Sequence, residues 1–141
     1  MSNIHPIFVH FPIALLTVAF LFDSLAAILR KEDLERTGWW TLLAGSVGLA
    51  ASVVSGLKAE ESVRISADVA GLLERHEQLA FFVAAVFGAI LLWRTGTRTA
   101  LPVRFRKAYF VLYLVGLGML WLGAWYGGLM VYTHGLGVGG E

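Results

Sequence analysis

The sequence predicts an all-α integral membrane protein, a four-helix bundle with both termini outside the cytoplasm. Three observations lead there. Of the 141 residues, 57% are hydrophobic and 15% charged, whereas a soluble domain is about 45–50% apolar and about 25% charged. The apolar residues fall into blocks long enough to cross a bilayer, which takes about 20 helical residues. The basic residues sort by loop instead of forming a stripe, and the net charge is only +1. That distribution sets topology and gives no reason to expect nucleic acid. Cysteine is absent, which excludes disulfides, thiolate metal sites, iron–sulfur clusters, cysteine nucleophiles and covalent c-type haem.

One domain over residues 1–141 contains four spans, about 7–29, 38–57, 77–93 and 109–132. The first is broken only by Asp23 and small polar residues, and its helix would be about 35 Å long. Residues 1–6 carry no Lys or Arg and no cleavage pattern follows, so the segment reads as a retained helix and not a cleaved signal. Trp39 and Trp40 open the second span, and Tyr109 and Tyr132 bracket the fourth, as interfacial aromatics do. Helical character over 66–73 is expected to carry the third helix beyond the membrane.

Two connections carry Arg30, Lys31, Arg36, Arg94, Arg98, Arg104, Arg106 and Lys107, against Lys58, Arg64 and Arg75 on the other side. The positive-inside rule therefore places both termini and the second loop outside the cytoplasm. All four histidines then share that outer side: His5 and His10 at the start of the first span, His76 at the start of the third, and His134 at the end of the fourth. Ionisable groups at membrane depth are rare and usually functional. Neutral imidazole is both a common metal ligand and the usual axial donor to non-covalent haem. His10 and His76, from different helices, form the leading ligand pair, with His134 and His5 as further candidates. On a regular helix His5 and His10 would lie about 140° apart and serve different partners, and Pro12 puts a bend beside His10.

Small residues recur every four positions at Ala44, Gly48, Ser52 and Gly56, and again at Gly123 and Gly127. Such stripes let helices approach closely. Nearer the histidines, Ser52, Gly56 and Gly127 would leave room for the edge of a porphyrin, which favours haem b over a bare copper, zinc or iron ion. Arg64 and Arg75 are the arginines on the correct side for haem propionates, or else they pair with neighbouring acids. Asp23, the one acid inside a span, is expected to pair with a loop arginine or a neighbouring helix. Glu74 and Glu77 flank His76 and could orient its ring. No nucleophile–base arrangement or phosphate loop stands out, so an electron-transfer or accessory role is expected before catalysis.

The segments 5–15 (HPIFVHFPIAL) and 126–138 (YGGLMVYTHGLGV) resemble the bacterial four-helix membrane family of domain of unknown function 2231, and the likeness spans nearly the whole chain. The resemblance implies a bacterial inner-membrane location, in which the orientation read from the loop charges turns the histidine-bearing side to the periplasm or exterior. It also implies association with redox modules, since relatives occur joined to Rieske-type or cytochrome domains. The partners expected are the lipid bilayer and a redox protein or larger membrane complex, with homo-oligomerisation left open. Two alternatives stand beside the haem: a non-haem copper, zinc or iron site built from the same histidines, and a structural accessory subunit without cofactor.

Overall fold

A computed structural model describes residues 5–60 and 67–135, with side chains from 9 to 60 and from 69 to 135. Four helices follow in order: α1 (His5–Leu29), α2 (Glu32–Glu60), α3 (Ala67–Gly96) and α4 (Arg106–Tyr132), with no strand among the described residues. All four are long and apolar enough to cross a membrane. Each exceeds the expected span because polar turns continue the helix past the hydrocarbon. The helical character expected ahead of the third span is present, since α3 begins at Ala67. Glu32, Asp33 and Glu35 occupy the first turn of α2 and Lys58 its last, signs that complement the helix dipole. Pro12 lies inside α1, which continues through it although the carbonyl four residues earlier loses its helical donor.

The spacing of buried residues gives the packing. In α1 they fall at Pro12, Leu16, Ala19, Asp23 and Ala26, and in α2 at Gly38, Leu42, Gly45, Leu49 and Ser52. In α4 the seam runs through Tyr109, Tyr113, Gly116, Leu120 and Gly123. Steps of four and three residues alternate in each, the 3.5-residue period of left-handed helix packing. The stripe expected at Ala44, Gly48, Ser52 and Gly56 advances by four every time and drifts off this seam, so Ala44 is exposed while Gly48 meets Pro12.

α1 packs chiefly along α2 and α3 along α4, giving two hairpins that meet through α2–α3 and, less extensively, α1–α4. Glycine sets how close α1 and α2 come: a Cβ at Gly45 would stand 2.8 Å from Leu16 Cδ2, and one at Gly38 would collide with the Asp23 carboxylate. Gly45→Ala is therefore expected to destabilise the bundle by about 1–3 kcal/mol, the usual cost of overpacking. Denaturant titration of helicity in detergent measures it, and a variant as stable as the parent would show that the hairpin spreads without cost.

A buried polar cluster fastens the two hairpins together at one end. Arg94 and Asp23 are both fully buried and their side chains meet at 2.7 Å. Tyr109 Oη donates to the same Asp23 oxygen at 2.6 Å, and Arg94 donates to Tyr109 Oη at 3.3 Å. The guanidinium also donates to the carbonyls of Thr99, at 2.7 Å from Nη2, and Glu35, at 3.2 Å. One side chain on α3 thus reaches α1, α2, α4 and the α3–α4 connection. Arg94, counted from sequence among the topology-setting loop charges, is instead an interior residue, and it supplies the partner expected for Asp23. A second cross-bundle bond runs from Tyr113 Oη to the Leu16 carbonyl at 3.1 Å, within a cluster of aromatic contacts in which Tyr113 meets Phe87 and Tyr109 edge-on and Phe20 at a tilt.

Candidate functional site

At the opposite end the hairpins enclose a cavity of about 360 Å³ whose wall is drawn from all four helices. The wall is mainly apolar, with Ile13, Leu49, Val83 and Leu120 among its members, and its polar residues include His10, Ser52, Glu60, His76 and Glu77. Gly56, Gly123, Gly127 and Gly128 keep parts of it low. Ligand pockets of this character usually hold about 300–1,000 Å³.

His76 is the best-defined polar group on the wall. It continues the α3 seam, because Ala80, Val83, Phe87, Ile90 and Arg94 follow it in steps of four and three. Its Nδ1 lies 2.8 Å from the Gly123 carbonyl on α4. A carbonyl only accepts, so Nδ1 carries the proton and the lone pair of the neutral ring is on Nε2. Histidines that bind metals are characteristically oriented this way, with the other ring nitrogen donating to a carbonyl or carboxylate. Gly127 lies against the ring, and a Cβ there would touch His76 Cε1 at 3.4 Å. Glu77, expected to orient His76, instead lines the cavity with Glu60, and Glu60 and Glu74 are near enough to act on it electrostatically.

The other sequence candidates separate. His10 lines the cavity from α1 while also being exposed on the outer surface of the bundle. Ser52, Gly56 and Gly127 are on the cavity wall as expected. His134 lies past the end of α4, exposed and off the wall, and Arg75 is exposed and off the wall as well. Arg64 and the side chain of His5 lie outside the described residues. Among the described residues no three His, Asp or Glu side chains come together in a group able to hold a metal ion. Two features escaped sequence reasoning. The Gly123 carbonyl is a backbone acceptor, so only the small-residue spacing at 123 and 127 hinted at it. Glu60 belongs to an acidic run that reads as a solvated loop.

A family model described as "Predicted membrane protein (DUF2231)" matches residues 1–140. The chain belongs to this family. DUF2231 membership accounts for the four apolar helices and assigns no chemistry to the cavity. No curated protein and no solved structure matches the chain.

Proposed function

We propose that this DUF2231 protein is a membrane haem b protein of the cytochrome b type, with one haem held between His76 and His10 near the extracytoplasmic face. The observation that carries the reading is His76, oriented by the Gly123 carbonyl at 2.8 Å and lining the same cavity as a second imidazole from another helix. Two imidazoles complete a haem iron, whereas a bare zinc or similar ion takes at least three protein ligands. The donor set therefore favours haem over the non-haem alternative. The low glycine wall and the apolar lining suit a flat macrocycle. A haem bound there supplies one-electron chemistry, and the residues of this chain orient its ligands and keep water from its faces. With two protein ligands little room is left for a substrate, so the role is electron transfer to or from a partner in the membrane or at its outer surface. Orientation in the bacterial inner membrane follows from the exposed basic residues of the Arg94 end, which face the cytoplasm under the positive-inside rule.

The test is the optical spectrum of protein purified in mild detergent from haem-replete cells, oxidised and then reduced with dithionite, with metal content measured on the same sample. A Soret band and split visible bands at near-stoichiometric haem are expected. A featureless spectrum would overturn the proposal: bound copper, zinc or iron would turn the same histidines to a non-haem site, and no cofactor would leave the accessory-subunit reading.

A further inference from the structure

His10 and Ile13 line two spaces at once. One is the internal cavity. The other is a shallow groove on the outer surface of α1, formed with Ala14, Thr17 and Val18 and bordered by Trp121 of α4. The groove lies at membrane depth, since its residues belong to two of the spanning helices. α1 and α4 pack less extensively than the other neighbouring helices. Pro12, on the cavity wall, removes a helical hydrogen bond from α1 next to Ile13, which is where helices hinge. The α2–α3 side is built in the opposite sense. There Glu60 and Glu77 line the cavity from the two helices, with Glu74 near enough to act on Glu77 electrostatically, so this side is charged where the α1–α4 side is mainly apolar.

We propose that the cavity is loaded from the bilayer through the α1–α4 seam, with His10 and Ile13 as the movable partition and a flat lipophilic molecule as the one that passes. The identity of that molecule as haem rests on the reading above. The route itself rests on the partition shared by two spaces, and on the charged character of the other side.

The absence of cysteine allows a direct test that needs no haem. Met119→Cys puts a single thiol on the cavity wall, and Leu114→Cys puts one on the exposed face of α4 as a control. In proteoliposomes, N-(1-pyrenyl)maleimide, which partitions into lipid, is expected to label the cavity thiol several-fold faster than a sulfonated, membrane-impermeant maleimide. Ala14→Trp, which fills the groove from an exposed position, should slow pyrene labelling of the cavity thiol several-fold and leave the control thiol unaffected. Val18→Trp gives a second plug at another exposed groove residue, and unchanged helicity and control-thiol labelling certify that both variants fold. Labelling of the cavity thiol by both reagents at equal rates, or no slowing with either plug, overturns the route. A parent protein that takes up no haem, while the plugs still slow labelling in the Met119→Cys background, overturns the haem reading and leaves the portal standing. In a parent that does take up haem, delivery from the bilayer should be slowed by the same plugs.

Discussion

Arg94→Ala is expected to destabilise the bundle by about 3–5 kcal/mol, the cost of stripping the partner from a fully buried charge. The substitution leaves the Asp23 carboxylate, itself fully buried, with only the Tyr109 hydroxyl as a donor. It also deprives the Thr99 and Glu35 carbonyls of their guanidinium bonds. The α3–α4 connection should loosen with it. Arg98 and Thr99 adopt left-handed backbone conformations, with φ of 56° and 68°, which are costly for non-glycine residues and persist where the surroundings enforce them. The Thr99 carbonyl is held by both Arg94 Nε and Nη2. Denaturant titration in detergent gives the size of the effect. A double variant, Asp23→Leu with Arg94→Leu, should recover much of the loss because no uncompensated charge remains. A single variant within about 0.5 kcal/mol of the parent, the range of ordinary surface changes, would show that the cluster does not fasten the hairpins.

If the cavity holds haem as proposed, His76→Ala is expected to abolish its retention, since it removes the imidazole whose ring α4 orients. His10→Ala should act differently, leaving the His76 imidazole in place and giving a high-spin spectrum with weakened binding. His134→Ala should leave the spectrum unchanged, because that residue is exposed and off the cavity wall. Free imidazole in the buffer should restore part of the His10→Ala spectrum by filling the vacated position. The readouts are the Soret position, the haem-to-protein ratio and the rate of haem transfer to an acceptor protein. Equal haem loss in all three variants would mean that the cavity is not where haem sits.

Element type was legible in the sequence because apolar blocks of spanning length leave the bilayer little alternative to helix. Helix ends were less legible: α2 opens at Glu32, in a polar turn whose helicity owes nothing to hydrophobicity. Arg94 looked like the first loop residue because a charge ends an apolar run. Only the third dimension supplies Asp23 and Tyr109, which lie 71 and 15 residues away along the chain. The shared side of His10 and His76 was read from threading alone. The cavity between them was not, because a gap is a property of how two hairpins meet and no single helix encodes it. The split among the histidines has the same origin: His76 falls on the 3.5-residue seam, while His134 lies beyond the last turn of α4.

The Arg94 cluster and the cavity occupy opposite ends of one bundle, so resistance to local opening should be graded along its length. Amides of residues 19–26, 90–94 and 109–113, around the four-way junction, should exchange with deuterium only when the whole bundle unfolds. Those near His10 and Gly127 should exchange through openings of one end. A ligand bridging α1 and α3 across the cavity would slow exchange at that end and leave the junction unchanged, so cofactor capture would register as the loss of a gradient.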